Sequence, residues 1–363
     1  MKNCRLSGLY IMFAGMSAIC MTLCSGCSFK GKSGQSKPDV TTVSFNADNV
    51  WSDSDTGTGN SGNEEPISGN TVILTAGDCT VSLDEMKLYM LSAKDEARAL
   101  FGDDVFSLKI GEGSDLESYS TKLKEEILKQ VEYMQIVCAH ADDQGISLNS
   151  DDQVEIDTKT ADYLGRFKGG EMAEYGITKD AVEKIYSDSM LATKVYESIV
   201  FNVNTDVTDE EARVGIFDYI FLSKDNIDEY GNITGMDKDE LKTLKKEAEN
   251  IYNEAKGTDD FYSYAKTVSD DTDEIEITCS KDEMDEKLSD AVFSLKEGEI
   301  SKLLETDSGY FIFYVKEYEN ENLTEQKKTE IVSKRQEDAF KEKYSIWEND
   351  TAVTVNDKAL KMY

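Results

Sequence analysis

The spacing of the apolar residues changes near residue 213, and this change most limits the folds that the chain can adopt. Before it, apolar residues recur every three or four positions, a period typical of amphipathic helices. Two such series are Leu123, Ile127, Val131, Met134 and Cys138, and then Val182, Ile185, Ala192, Val195 and Ile199. Residues 71–212 are therefore predicted to be mostly helical, after a short β-prone run at 71–75.

Sequences that cap helix N-termini occur at three places in this first block. Residues 82–85 (SLDE) and 150–153 (SDDQ) have the spacing of a capping box, in which two side chains bond each other's backbone N–H groups. Residues 208–211 (TDEE) are predicted to cap a short helix. These sequences indicate where the predicted helices begin.

After residue 213, strand-like and helical patterns alternate. The predicted order is a strand at 216–222, a polar loop at 223–238, helices at 241–255 and 261–268, a strand at 274–278, a helix at 285–294 and a strand at 310–315. This β-α-α-β-α-β order within about 100 residues predicts a compact α+β domain.

The chain is again helical in pattern after residue 323. One face of this last helix carries Ala339, Phe340, Tyr344 and Trp347, and a strand-like segment follows at 352–355. An undocked face of this kind would expose a large apolar patch. Residues 322–355 are therefore predicted to pack against residues 71–205.

Charge and cysteine usage exclude several classes of function. The formal net charge of −34 disfavours binding to nucleic acid or to anionic lipid head groups. Cys79, Cys138 and Cys279 have no regular spacing, which argues against a disulfide framework and against a zinc site, and favours buried thiols. The single histidine, His140, is predicted to be solvated near a helix end.

The N-terminal segment is typical of an export signal. A basic start is followed by 18 uncharged, mostly apolar residues at 6–23 and then by Cys24-Ser-Gly-Cys27. This ending resembles a bacterial lipobox, which implies a signal peptide over residues 1–26 and a lipid on Cys27. An uncleaved transmembrane anchor is the alternative, since the apolar run is just long enough to span a bilayer. Residues 27–70 are rich in Ser, Gly, Thr, Asp and Asn and are predicted to be a flexible tether.

Three stretches of the second block resemble the parvulin-type (PpiC or rotamase) peptidyl-prolyl isomerases. The longest contains Met284, Leu288, A-V-F-S-L at 291–295, G-E-I-S at 298–301 and T-D-S-G-Y at 306–310. The segments F-Y-S-Y-A at 261–265, S-D-D at 269–271 and Y-I-F-L at 219–222 also fit the family pattern. Upstream, residues 75–85 (TAGDCTVSLDE) resemble the entry to the chaperone domain of PrsA- and SurA-type foldases.

The resemblance implies an α+β protein in which a parvulin-like βααβαβ domain is inserted into a helical chaperone domain like the N-terminal domain of SurA. The helical domain would comprise residues 71–212 and be completed by a C-terminal helix within 321–363. The parvulin-like domain would comprise residues 213–320.

The resemblance also implies a site for the proline ring, an apolar cup to which Met284, Leu288, Phe293 and Phe311 would contribute. Asp271 matches the family's Cys or Asp position, while Tyr219 and Phe311 stand where the family has two histidines. The family's G-G-D-L-G loop is absent from this sequence. Asp271 and Tyr219 are therefore the candidate catalytic residues, and no metal or cofactor is implied.

Three functions agree with these features. The first is a lipid-anchored foldase or chaperone at the outer face of the cytoplasmic membrane, which assists unfolded secreted polypeptides and has weak or no isomerase activity. The second is an active isomerase of the same architecture. The third is a cell-surface lipoprotein whose parvulin-like domain has an assembly or adhesion role.

Overall fold

The structure is a computed structural model that describes residues 68–110, 117–227, 233–271 and 274–361. The predicted signal peptide, its Cys27 and nearly all of the predicted tether lie outside the described residues. The chain divides into two compact units. Unit 1 contains the described residues up to Phe201 and from Lys341 onwards, and unit 2 contains Asn202–Phe340. The domain boundaries at 212/213 and 320/321 stay predictions.

Helices and strands follow one another in a mixed order along the chain. The elements up to residue 212 are β1 (Val72–Ala76), β2 (Cys79–Ser82), α1 (Leu83–Phe101), β3 (Lys109–Ile110), β4 (Glu117–Ser118), α2 (Tyr119–Ala139), α3 (Ser150–Leu164), α4 (Glu171–Glu174), α5 (Lys179–Val200) and α6 (Asp209–Ala212). The later elements are β5 (Val214–Ser223), β6 (Asp225–Ile227), β7 (Ile233–Gly235), α7 (Lys238–Ala255), α8 (Phe261–Val268), β8 (Glu276–Ser280), α9 (Glu286–Phe293), β9 (Leu304–Glu305), β10 (Gly309–Glu317), α10 (Glu321–Asp350), β11 (Val353–Val355) and α11 (Asp357–Lys361).

Unit 1 is a helical body that carries a small antiparallel sheet. Its strands lie in the order β11-β1-β2, so a strand from the C-terminal end of the chain pairs with the first one. The apolar stripes predicted from the sequence supply the core. Its fully buried side chains include Ile73, Leu74, Met86, Val131, Ile136, Ile156 and Val195. Burial of such stripes, rather than helix propensity alone, stabilises helices of this length.

Capping side chains fix the starts of the long helices, with one correction to the prediction. The Ser82 hydroxyl and the Glu85 carboxylate make the expected capping box at the start of α1. The box expected from Ser150 begins one residue earlier, because Asn149 is the N-cap of α3 and Asp152 its reciprocal partner. An asparagine caps as well as a serine, so the two registers compete in the sequence.

The end of the chain belongs to unit 1. Its contacts show that the prediction of a solvated His140 is wrong. The Tyr344 ring lies 4.2 Å from that of Tyr133, and the Trp347 ring stacks on His140 with centroids 5.0 Å apart and planes at 4°. The two nitrogens of the His140 ring also contact Asp143 Oδ2 at 2.7 Å and Thr351 Oγ1 at 2.9 Å. The imidazole is therefore packed rather than solvated.

Unit 2 is built on an antiparallel sheet with the strand order β8-β5-β10-β9. The two central strands are long and pair from Gly309↔Ser223 to Glu317↔Ile216, with a shift in register after Val315. Helices α7 and α8 cover one face through Leu244, Ala248, Ile251 and Phe261, and α9 packs against the other through Leu288, Val292 and Phe293. The βααβαβ order and the α+β class predicted from the sequence are confirmed.

The prediction of a loop over residues 223–238 is wrong in part. This segment contains a short antiparallel hairpin in which Asp225 pairs with Gly235 and Ile227 with Ile233. Each strand has only three residues, and Ile227 and Ile233 are the only large apolar ones, so no alternating apolar pattern indicates the hairpin in the sequence.

The three cysteines of the described part are free thiols, two of them buried and Cys79 partly buried. Among the helices that the structure describes, none is long and apolar enough to cross a membrane.

Candidate functional site

The alternation of β5 and β10 places aromatic side chains on the sheet face that α9 covers. Residue pairs directly across the two strands include Tyr219 with Phe313 and Phe221 with Phe311. Because side chains alternate between faces along a strand, all four point to the same side. Ile220 and Ile312, one position on, face the opposite core beneath α7 and α8.

The rings on this face are in contact with one another. The Phe311 ring lies 4.7 Å from that of Phe221, 5.9 Å from that of Phe313 and 6.5 Å from that of Tyr219. These separations lie within the range in which aromatic pairs attract each other beyond simple area burial. Phe311 and Phe221 are only half-buried, so part of this surface is open to solvent.

Helix α9 and Met284, two residues before it, complete the surface. Leu288 and Phe293 are buried against the sheet, and Met284 packs against the same core from the edge. The Phe293 ring lies 5.2 Å from that of Phe217. We call this set the aromatic cluster; its members are Phe217, Tyr219, Phe221, Met284, Leu288, Phe293, Phe311 and Phe313.

One hydrogen bond brings a polar pair to the aromatic cluster. The Tyr219 hydroxyl donates to Asp271 Oδ2 at 2.6 Å, joining β5 to the segment that follows α8. Burial, then the hydrogen bond to the Asp271 carboxylate and its negative charge, raise the pKa of the Tyr219 phenol well above its usual value. The phenol is therefore neutral at physiological pH, and its O–H is a donor.

The residues around Asp271 hold this segment against the sheet. The Asp270 backbone N–H donates to the Phe221 carbonyl at 2.8 Å, and the Asp270 carboxylate accepts from the Ser223 N–H at 2.8 Å. The Ser269 hydroxyl accepts from the Phe221 N–H at 3.0 Å. Asp271 thus follows two residues that are anchored to β5, which directs its carboxylate towards Tyr219.

The site residues predicted from the sequence come together in unit 2. Tyr219, Leu288, Phe293, Phe311 and Met284 share the aromatic cluster, and Asp271 reaches it through the Tyr219 hydroxyl. Their roles in binding and catalysis stay predictions.

Sequence reasoning missed three members of the aromatic cluster. Phe217, Phe221 and Phe313 were not singled out, although each lies an even number of residues from Tyr219 or Phe311 on its own strand. The period of two along a strand is the signal that would have found them.

The chemistry available here is that of a binding surface with one polar edge. Within the residues that the structure describes, no group of three His, Cys, Asp or Glu side chains is placed to hold a metal ion. The aromatic cluster provides apolar area, and the Tyr219–Asp271 pair provides one hydroxyl and one carboxylate.

A family comparison matches part of this unit. Residues 226–317 match the family model described as the PPIC-type PPIase domain, or rotamase. The chain carries a rotamase domain of the PPIC type. The resemblance read from the motifs at 261–310 is thereby confirmed.

The relatives found are foldases. The chain is 26% identical over 198 residues to the foldase protein PrsA of Clostridium botulinum strain Langeland, an alignment that covers 51% of this chain and 57% of that protein. The foldase protein PrsA of strain Okra is 25% identical over 198 residues, with the same coverage. The chain thus spans less than two thirds of the length of these curated relatives.

Solved structures with some similarity include the peptidyl-prolyl isomerase PrsA of Bacillus cereus. It is 18% identical, with a TM-score of 0.34, and the match covers 70% of this chain and 96% of that one. A SurA-like chaperone from a study of PEB4 and Cj1289 of Campylobacter jejuni is 12% identical, with a TM-score of 0.27 over 78% of this chain and 98% of that one.

Proposed function

We propose that the protein is a foldase of the PrsA type that acts outside the cytoplasmic membrane on unfolded or partly folded secreted polypeptides. In this proposal the rotamase domain binds proline-containing segments but catalyses their isomerisation weakly or not at all. The helical unit 1 supplies a chaperone surface. The similarity to PrsA foldases and the rotamase domain support the proposal.

The observation that carries the weak-isomerase part is the composition of the aromatic cluster. The family's two histidine positions, assigned by resemblance, hold Tyr219 and Phe311 here. Phe311 has no side-chain donor or acceptor, and Tyr219 has one hydroxyl, which is already bonded to Asp271. The site therefore has a large apolar surface and a small polar one.

The small polar surface of the site limits how much it can accelerate prolyl isomerisation. Rotation about a peptide bond faces a barrier of ~18–20 kcal/mol, because amide resonance is lost in the transition state. An enzyme accelerates the rotation only through contacts that are stronger with the rotated amide than with the planar one. An apolar surface contacts the proline ring about equally in both states, so it supplies affinity and little rate.

One observation favours a second candidate, an active isomerase. The Tyr219–Asp271 contact of 2.6 Å is a charge-assisted bond, and the phenol keeps its proton because its pKa is raised. The hydroxyl has a single proton, so it can donate to an amide that is losing its resonance only by exchanging its bond to Asp271 for one to that amide. Rotation inside a water-poor groove would add to such an effect.

Exchange NMR on proline peptides tests the two candidates. The peptides Ala-X-Pro-Phe, with X as Ala, Lys or Glu, would be titrated with wild-type protein, with Asp271→Ala and with the control Asp270→Asn, which keeps an acceptor for the Ser223 N–H. We expect saturable shifts of the peptide resonances but cis–trans exchange close to the uncatalysed rate. Exchange as fast as with an active parvulin measured alongside, abolished by Asp271→Ala and kept in Asp270→Asn, would establish the active isomerase instead.

The chaperone part has its own test. The full chain should slow the aggregation of a chemically denatured, secreted model protein. If unit 1 is responsible, Asp271→Ala should leave that effect unchanged, since Asp271 belongs to unit 2. No effect of the full chain on aggregation would contradict the chaperone role.

A further inference from the structure

Arg213, between α6 and β5, is buried in a way that ordinary pairing does not explain. Its side chain is 2% exposed. Its Nη2 donates to the backbone carbonyl of Phe293, and the Glu210 carboxylate lies 3.6 Å away. The other two guanidinium nitrogens, Nε and Nη1, are buried without a hydrogen-bond partner among the described residues.

The remaining contacts of Arg213 are aromatic. Its guanidinium carbon lies 4.1 Å from the ring centroid of Tyr318 and 5.3 Å from that of Phe293. Both distances are within the reach of cation–π attraction, and a planar guanidinium suits the face of a ring better than an ammonium does.

Two of these contacts converge on Phe293. The ring of Phe293 meets the guanidinium, and its carbonyl is one of the C-terminal carbonyls of α9 that have no partner within the helix. A positive charge is also favourable at a helix C-terminus. Arg213 therefore holds both the ring of Phe293 and the end of the helix that carries it.

This arrangement is a costly way to stabilise a domain. Buried charges that are incompletely paired stabilise a fold poorly, and apolar replacements of similar volume are often neutral or stabilising. The contacts that Arg213 makes to Phe293 indicate a role other than stabilisation. Phe293 belongs to the aromatic cluster, in which its ring packs against that of Phe217 on β5.

We propose that Arg213 is a positioning residue for the proline-binding surface, acting through Phe293. By fixing the ring of Phe293 and the last turn of α9, it fixes the buried base on which Met284 and Phe311, partly buried members of the aromatic cluster, face a proline ring. This inference rests on the proposed binding of proline segments at the aromatic cluster.

The test compares three variants of the full chain. Arg213→Met removes the charge and the planar group but keeps an apolar side chain. Arg213→Lys keeps the charge and a donor for the Phe293 carbonyl but loses the planar face. The matched control Arg335→Met removes an arginine that bonds the Asn204 and Asp206 carbonyls and the Glu211 carboxylate instead of the aromatic cluster.

Three readouts separate positioning from plain stabilisation. The ring resonances of Phe293, assigned with Phe293→Leu, are recorded without peptide; the affinity for Ala-Ala-Pro-Phe and the thermal midpoint are measured in parallel. For Arg213→Met we expect shifted or broadened Phe293 ring resonances. Peptide binding should be roughly fivefold weaker, because ordering the released ring on binding costs up to the energy of the lost cation–π contact. The thermal midpoint should stay the same or rise. Arg213→Lys should fall between this variant and wild type, and Arg335→Met should leave the first two readouts unchanged.

Each contrary outcome has a distinct meaning. Unchanged Phe293 ring resonances in Arg213→Met, or a lower thermal midpoint with unchanged peptide affinity, would overturn the positioning role. Wild-type protein that binds none of the peptides would overturn the proposed function, and the ring spectrum would then decide alone whether Arg213 positions Phe293. If Arg213→Met does not fold, the same readouts on Arg213→Lys decide the question.

Discussion

Tyr219 and Asp271 are 52 residues apart in the chain, and the hydrogen bond between them defines the polar edge of the site. By the resemblance, Tyr219 stands at a position where the family has a histidine, and a tyrosine there would have different chemistry. An imidazole can accept or donate and can become a cation near neutral pH, whereas a phenol with a raised pKa remains a neutral donor. Any catalysis here would therefore show no histidine-like titration near pH 6–7.

The Tyr219 phenol should report directly on the Asp271 charge. Replacement of Asp271 by Asn keeps an acceptor oxygen but removes the negative charge that disfavours the phenolate. We expect the pKa of Tyr219 to fall in Asp271→Asn, while burial keeps it above the usual value of about 10. A pH titration of the Tyr219 ring carbon that bears the hydroxyl, assigned with Tyr219→Phe, measures this.

Asp270→Asn is the matched control for this titration, since the neighbouring carboxylate bonds the Ser223 N–H rather than the phenol. Its Tyr219 titration should follow that of wild type. The same Tyr219 titration in Asp271→Asn and in wild type would show that the two groups are not coupled in solution.

The sequence predicted the residue types of the site but not how they meet. Met284, Leu288, Phe293 and Asp271 followed from motif spacing. The hydrogen bond from Tyr219 to Asp271 depends on contacts between residues far apart in the sequence. These are the pairing of β5 with β8 and the hydrogen bonds that Ser269 and Asp270 make to Phe221. For the same reason the stacking of His140 on Trp347, 207 positions later in the numbering, was not foreseen.

At the scale of elements, strong periodicity decided what could be predicted. Helix α8 was expected at 261–268 and is observed at Phe261–Val268, because its apolar face and the flanking polar residues are unambiguous. The hairpin of β6 and β7 and the two-residue strand β9 were missed, because so few pairings leave no pattern in the sequence. The start of α3 was off by one residue, because two residues in succession can both cap.

The first part of α10 is fixed to unit 2 by a buried lysine. Lys327 is 6% exposed, and its ammonium lies 3.0 Å from Glu283 Oε1 and 3.1 Å from Asp282 Oδ2. Burial raises the pKa of both carboxyl groups, but their bonds from Ser280 and from the Lys327 ammonium outweigh it and leave both pKa values below the usual ones.

Replacement of Lys327 by Met should destabilise unit 2 at neutral pH. Depressed carboxyl pKa values give stability that is present above the unfolded-state values, near 4, and is lost as the pH falls through the folded-state values. Because both carboxylates are more than half exposed and keep part of their hydration, we expect a cost of about 1 kcal/mol at pH 7 that shrinks below pH 4. Hydrogen exchange of the β10 amides measures the change.

Lys334→Met is the matched control, because Lys334 pairs with Asp338 on the exposed surface of the same helix. It should change the exchange of β10 by less than about 0.5 kcal/mol. If Lys327→Met lowered the free energy of unfolding equally at pH 3 and pH 7, the two carboxylates would not be the source of the loss.

The whole chain combines a strong negative charge with a proposed function at a membrane. With a net charge of −34, the protein is repelled by anionic lipid head groups. Electrostatic attraction therefore cannot hold it at the cytoplasmic membrane, and a foldase that works there needs a hydrophobic attachment. The sequence offers one candidate, the apolar run at 6–23 followed by Ser25, Gly26 and Cys27, which lies outside the described residues.

Cys27→Ser should separate a lipid anchor from a peptide anchor. A lipidated Cys27 would carry a diacylglyceryl group, and two acyl chains at ~0.8 kcal/mol per buried CH₂ suffice for stable attachment. We expect an alkyne fatty acid to label wild-type protein and the control Cys20→Ser, which replaces a cysteine of the apolar run outside residues 24–27, and not Cys27→Ser. Equal labelling of Cys27→Ser and wild type would contradict lipidation at Cys27. Unlabelled wild-type protein that still sediments with membranes would instead show that the run at 6–23 is itself the anchor.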